Sequence, residues 1–372
     1  MMEIDVEPGF RSLGQATARR IAGQAATRGV LQRTLLVHGP AGAGKDAFVD
    51  DLLALLFCTD EDPERRPCNA CRGCRDARAR SHPDLVLGSP EEWRERRSTG
   101  ESIVGAARRW LLDAAGAPVV ADRRVVLIDR ADRANEQTQN ALLKALEEPG
   151  DRHMFVLVAD EPQRLLPTIR SRSQPLRIGP VPRQELAAHL MSRWGLPLDQ
   201  ADALARISGG LSGTANAYAE HTELVTWRRR LQAELLSLVE RGRGERFASI
   251  HDLLDETTRL GVPAPSSEEP DADAPRTPAS VQREAAIVLV EAWMALTRDL
   301  LVAAAGRPQL APGGELGPEL AALAPRIGPG SLVEMSAHLE RVHDALRQNA
   351  APKLALEAAM LIWPMLPGPS QR

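Results

Sequence analysis

Three groups of residues in this 372-residue chain have the types and spacing to do chemistry. All four cysteines fall in one stretch, Cys58, Cys68, Cys71 and Cys74. Four thiolates match tetrahedral structural zinc, which leaves no open coordination position. Reduced, buried cysteines are the bland alternative, and His82 is a candidate substitute ligand. The spacings of three predict Cys68, Cys71 and Cys74 on one side of a helical turn, with Cys58 closing the site from the preceding helix. Upstream, Gly39-Pro40-Ala41-Gly42-Ala43-Gly44-Lys45-Asp46 fits G-x-x-x-x-G-K-[ST] except at its last position. Backbone N–H groups of such a loop cradle phosphates, and the lysine reaches the terminal ones. Asp46 stands where a hydroxyl would meet magnesium. Its charge opposes phosphate by about 4 kcal/mol per pair at ~4 Å and an effective dielectric near 20. Pairing with Lys45 would instead fill the site. Third, Ile128-Asp129-Arg130-Ala131-Asp132 puts Asp129 at a metal-side position but Arg130 where a glutamate would activate water. Asp132, three residues on, is no simple replacement. The structural alternative is a glycine-rich turn packing a helix on a strand, with ordinary strand-end acids.

The elements that must position these groups follow from periodicity. A strand over Thr34–His38 feeds the glycine-rich turn, and a helix over Asp46–Phe57 follows, with Phe48, Leu52, Leu55 and Leu56 on one face. Apolar runs predict buried strands over Arg124–Asp129 and Met154–Ala159. Between them a helix over Gln137–Glu148 is stopped by Pro149-Gly150. Strands separated by helices imply a parallel sheet covered on both faces. From about Gly179 the pattern is helical only, with short helices over 183–193, 197–207 and 212–220. Longer ones follow over 224–241, 281–305, 331–348 and 353–361. The stretch at about 261–280 holds five prolines and four acidic residues and reads as a disordered linker or insertion; a second Pro/Gly-rich loop spans 306–317.

Composition narrows the function. Net charge is −4, which excludes a generally basic nucleic-acid binder, and aromatics are 3%, too few for extensive base-stacking platforms. With 43% apolar residues the chain can bury a sizeable core, and no apolar run reaches membrane-span length. The acidic N-terminus carries no signal pattern, so a cytoplasmic protein is expected. Six arginines (Arg65, Arg66, Arg72, Arg75, Arg78, Arg80) surround the cysteines, as a DNA-facing patch or a solvated face. Lysine occurs only at positions 45, 144 and 353; a GC-rich codon bias is the plain reading, and a lysine that persists against it points to a role an arginine cannot fill.

Asn140-Ala141-Leu142-Leu143-Lys144-Ala145-Leu146-Glu147-Glu148-Pro149 resembles the NALLKxLEEP signature of the bacterial clamp-loader AAA+ family of DNA polymerase III subunits. Thr168-Ile169-Arg170-Ser171-Arg172-Ser173 is similar to its T-x-x-S-R-C motif. Asn349-Ala350-Ala351-Pro352-Lys353-Leu354-Ala355-Leu356-Glu357 is similar to its C-terminal N-x-N-P-K-L-x-L-E stretch. Each lysine lies inside one of these motifs or the glycine-rich loop. The resemblance implies an α/β AAA+ P-loop module over 1–178 with an inserted four-Cys zinc module at about 58–82. A small helical lid over 179–216 and an all-α collar over 217–372 would follow. It implies a non-motor stator in a hetero-pentamer with gamma/tau motor subunits and delta, helping load the sliding clamp on primer-template DNA. Arg172 would be presented as a trans arginine finger to the neighbouring subunit's nucleotide. The degenerate nucleotide site would comprise Gly39, Gly44, Lys45, Asp46 and Asp129; zinc would be the structural metal, and the altered loop argues against resident ATP and magnesium. The lid stretch Ser208–Ala215 lacks the arginine a working module uses, with Gly213 near its place. The family belongs to a DNA-directed DNA polymerase holoenzyme, yet no carboxylate pair here suits polymerase chemistry. The alternative is an active ATPase motor subunit of the same family.

Overall fold

A computed structural model of the chain describes residues 9–28, 31–98, 100–260, 278–307, 317–348 and 350–366. The candidate linker at about 261–280 lies outside the described residues up to 277, as does the loop at 306–317 over 308–316. Residues 278–280 are helical, not linker. The chain divides into two units, Met1–Glu185 and Leu186–Arg372.

The first unit is built on five strands: β1 (Thr34–His38), β2 (Leu85–Gly88), β3 (Arg124–Ile128), β4 (His153–Ala159) and β5 (Gln174–Arg177). All pair in parallel, in the order β2-β3-β4-β1-β5. The central strands β3, β4 and β1 are buried almost throughout, which is why they read as continuous apolar runs. Among the described residues seven α-helices accompany the sheet: α1 (Ala16–Thr27), α2 (Lys45–Phe57), α3 (Arg72–Arg78), α4 (Pro90–Glu95), α5 (Ile103–Ala114), α6 (Glu136–Glu147) and α7 (Pro167–Arg172). Leu142 and Leu146 of α6 pack with Val126, Ile128, Phe155 and Leu157 in one core cluster. α6 starts where Asn135 accepts the Thr138 N–H at 2.9 Å, a side-chain N-cap. β5 contains Pro175. Proline lacks a donor, but β5 is an edge, where one is tolerated.

The second unit is helical among its described residues: α8 (Arg183–Trp194, begun just before the division), α9 (Leu198–Ile207), α10 (Ser212–Glu220), α11 (Thr222–Ser237), α12 (Arg243–Leu260), α13 (Pro278–Ala304), α14 (Gly317–Ile327), α15 (Pro329–Arg347) and α16 (Pro352–Ile362). Its core centres on α13, whose Leu289, Trp293, Leu296 and Leu300 are buried among residues of α11, α12, α14, α15 and α16. Trp363, just past α16, is buried too. Its ring stands edge-on to Trp293 at 5.2 Å, and its Nε1–H donates to the Leu235 carbonyl. Buried Arg246 donates to the carbonyls of Arg241, Trp363, Val239 and Pro364 at 2.8–3.1 Å. No described helix is long and apolar enough to cross a membrane.

Candidate functional site

The glycine-rich loop joins β1 to α2, and close packing dictates its glycines. A Cβ on Gly39 would lie 1.9 Å from the Ile178 carbonyl oxygen, so no larger residue fits. Gly42 and Gly44 have φ of +73° and +89°, the left-handed region glycine enters without a steric cost. Lys45 opens α2 and is buried. Its Nζ meets Asp160 Oδ1 at 2.6 Å and donates to the Gly39 and Pro40 carbonyls at 3.1 and 3.0 Å. The carboxylate expected to pair with Lys45 was Asp46. Asp160 takes that place, and Asp46 faces Arg80, whose Nη2 lies 3.3 Å away.

The sheet order explains Asp160. β4 lies beside β1 in parallel register, with His38 opposite Ala159, so the residues leaving both strands meet at one edge. Asp132 supports the arrangement: buried, it accepts the Glu161 N–H at 2.9 Å through Oδ2. Burial, and then the neighbouring Asp160 charge, push the Asp132 carboxyl above its ordinary range. Asp129 follows β3, which β4 separates from β1. Arg130, at φ +45°, places Nε 3.7 Å from Asp129.

The four cysteines come together as expected, with their sulfurs all within 4.8 Å of one another. A zinc ion with bonds of about 2.3 Å needs a similar tetrahedron. The route differs from the expected helical turn. Cys58 caps the end of α2, Cys71 caps the start of α3, and only Cys74 lies inside that helix. Backbone N–H groups point at sulfur instead: Cys68 N–H to Cys58, Cys71 N–H to Cys68, and Cys74 N–H to Cys71, at 3.3–3.4 Å. Burial opposes ionisation of Cys71, but hydrogen bonds from Thr59 and Cys74 outweigh it and bring the thiol down to about 6. Burial pushes the Cys58 and Cys74 thiols up. The donor set therefore fits one closed metal centre held by Cys58, Cys68, Cys71 and Cys74. His82 stands apart from it. Its ring stacks on Phe57 at 3.8 Å, and Nδ1 accepts the Asp84 N–H.

Two arginines of this segment turn inward onto α2, not outward. Arg78 Nη2 pairs with fully buried Asp51 at 2.7 Å, and Arg80 Nε with Asp50 at 3.1 Å. Asp51 also accepts the Arg11 and Ser12 N–H groups, tying the segment before α1 to the same helix. Periodicity does not reveal Asp160, Arg80 or Asp51 as site residues, because their partners are set by sheet order and by docking of the cysteine segment.

Arg172 ends α7, 43% exposed at its side chain, with Nη2 3.0 Å from Glu147 Oε1 and Nη1 donating to the Thr168 carbonyl. Ser173, in place of the expected cysteine, is buried and donates to the Ile169 carbonyl. Thus Glu147, from one motif, holds the arginine of another.

Residues 14–182 match the family described as "DNA polymerase III, delta subunit". The DNA polymerase III subunit delta' of Pseudomonas aeruginosa is 34% identical over 185 residues, 48% of this chain and 53% of that protein. The subunit delta' of Escherichia coli is 32% identical over 198 residues, 53% and 57% of the two chains. The subunit gamma/tau of Mycobacterium tuberculosis is 29% identical over 214 residues, 52% of this chain and 35% of that protein. The chain thus spans about half the length of the delta' relatives it matches.

Proposed function

Because the chain belongs to the clamp-loader family that contains the DNA polymerase III delta-prime subunits, we propose that it is the non-motor, stator subunit of such a loader. In this reading residues 1–178 form the AAA+ module, 179–216 its lid and 217–372 the collar that joins the ring. Its partners are gamma/tau motor subunits and delta, with the sliding clamp and primer-template DNA reached through the complex. The four-Cys segment is a zinc module that stabilises and does not catalyse, since four thiolates leave no open position.

One observation carries the stator reading: Arg130, 3.7 Å from Asp129, stands where a motor's general base would stand. No water-activating carboxylate follows the strand. The chain's contribution to hydrolysis would instead be Arg172. A planar guanidinium delivered to a neighbour's nucleotide stabilises charge on the transferred phosphoryl group. The resting pair with Glu147 is exposed on both sides, and such pairs are worth at most about 1 kcal/mol. A phosphate can therefore draw Arg172 away at little cost. Similarity to gamma/tau supports the second reading, an active motor.

The test is an assembled loader carrying only Arg172→Ala. Folding and assembly are expected to be intact, and DNA- and clamp-stimulated ATPase and clamp loading lowered in part, because one of several sites faces this subunit. Trans arginines contribute on the order of 10³–10⁵ in rate where a site depends on them fully. Arg172→Lys is expected to rescue poorly, lacking the fork. Wild-type rates in the Arg172→Ala complex would overturn the arginine's role. Turnover by the chain alone would favour the motor.

A further inference from the structure

The glycine-rich loop carries its own substitutes for a ligand. An ammonium has three N–H donors, and those of Lys45 have three acceptors: Asp160 Oδ1 at 2.6 Å, the Gly39 carbonyl at 3.1 Å and the Pro40 carbonyl at 3.0 Å. None is left for a phosphate oxygen. The Lys45–Asp160 pair is only 9% and 14% exposed at its side chains, so solvent and salt screen it little. Asp160 is also held in place, because the next residue's N–H is bound by buried Asp132 and the preceding Ala159 carbonyl accepts the Gly39 N–H. A phosphate approaching Lys45 would meet a fixed carboxylate of like charge.

The cation side is filled in the same way. Asp46 occupies the position that would face magnesium, and the Arg80 guanidinium lies 3.3 Å from it and 3.1 Å from Asp50, one turn along α2. Arg80 arrives from the far end of the cysteine segment at φ +52°, just beyond Arg78, which is anchored on buried Asp51. A divalent cation at Asp46 would have to displace this positive charge.

We propose that the loop is self-liganded: Asp160 takes the place of a terminal phosphate on Lys45, and Arg80 takes the place of magnesium on Asp46. The two ion pairs together exclude magnesium–nucleoside triphosphates from the chain. This rests on reading residues 39–46 as a phosphate loop. Asp160 and Arg80 then determine specificity by occlusion, and removing both takes the fixed carboxylate from Lys45 and the guanidinium from Asp46.

The experiment is equilibrium binding of fluorescent ATP with magnesium to the full chain, as wild type, Asp160→Asn, Arg80→Ala and the double variant. Circular dichroism and zinc content serve as folding controls. The double variant is expected to bind at least tenfold tighter than wild type and tighter than either single variant. A folded double variant that gains nothing overturns the proposal. If that variant does not fold, the wild type decides alone through acetylation read by mass spectrometry, because the chain has three lysines and Lys144 and Lys353 are exposed. Lys45 is expected to react at least tenfold more slowly than these, with no change on adding magnesium–ATP. Reaction at the rate of Lys144, or a change on adding magnesium–ATP, overturns the proposal. ATP turnover by the wild-type chain would overturn the stator reading itself. Absence of turnover with no gain in the folded double variant would remove only the self-liganded loop.

Discussion

Gly39 shows how tightly a single position can constrain the site. Its Cα lies against the backbone that follows β5, where an added methyl would sit 1.9 Å from the Ile178 oxygen. That neighbour is backbone and cannot rotate away, so the strand end or the loop must move. Gly39→Ala is expected to destabilise the chain by about 1–3 kcal/mol, the usual cost of overpacking, read from the urea midpoint. At this scale the sequence was legible where spacing alone defines the residue. The loop glycines, Lys45 and the cysteines are local patterns, and the structure brings the cysteines together. Asp160 was not legible, because it lies 115 residues from Lys45 and meets it only through the β1–β4 pairing. Arg80 looked like one of six solvated or DNA-facing arginines, although it faces acids on α2.

The elements owe their placement to a few buried carboxylates. Asp84, fully buried just before β2, accepts the N–H groups of Val119, Val120 and Ala121 and so fixes the loop that enters β3. Burial alone would push its carboxyl up, but these three donors override it and hold it below the ordinary carboxylate range. A carboxylate depressed in the folded state stabilises fully above its unfolded value, about 3.9. That contribution is lost as pH falls through the lower, folded value. Asp84→Asn is expected to cost about 3 kcal/mol at pH 7, with the difference from wild type shrinking at the acid end. Amide exchange at residues 119–121 should quicken. The cysteine segment is an element of the same kind, inserted between α2 and β2. Cys71→Ser is expected to drop zinc well below one per chain and loosen residues 65–80, while the sheet stays folded. Metal analysis and exchange rates check both. Central strands were legible from their apolar runs. Short β2 and Pro-containing β5 were not, since edge strands carry little pattern of their own. Helices α12 and α14 were missed as well, α14 because Pro325 falls inside it.

Across the whole molecule, each unit has its own buried core, and the sequence marked the change from alternating strands and helices to helices alone near residue 179, just after the last described strand ends at Arg177. Trp363 belongs to the second unit's core, while Leu361 and Ile362 beside it remain exposed. One-dimensional spacing cannot tell which side of a short helix end faces inward. Arg246 closes this core by binding four carbonyls, with burial and then Arg243 lowering its proton affinity. Arg246→Ala strands those oxygens and is expected to lower stability by about 2–4 kcal/mol in urea unfolding, with lysine restoring only part. The same clasp also bears on how the chain is made. Arg246 and its partner Trp363 are 117 residues apart, so while the ribosome works through α13, α14 and α15 the second core lacks its last tryptophan and two of the four acceptors for its guanidinium, the Trp363 and Pro364 carbonyls. The first unit has its final strand by residue 177 and can fold during synthesis, whereas the second must wait for its last few turns of helix. A ribosome that stalls within α16 therefore leaves a folded first half joined to an unclosed, apolar second half, a substrate for chaperones and proteases.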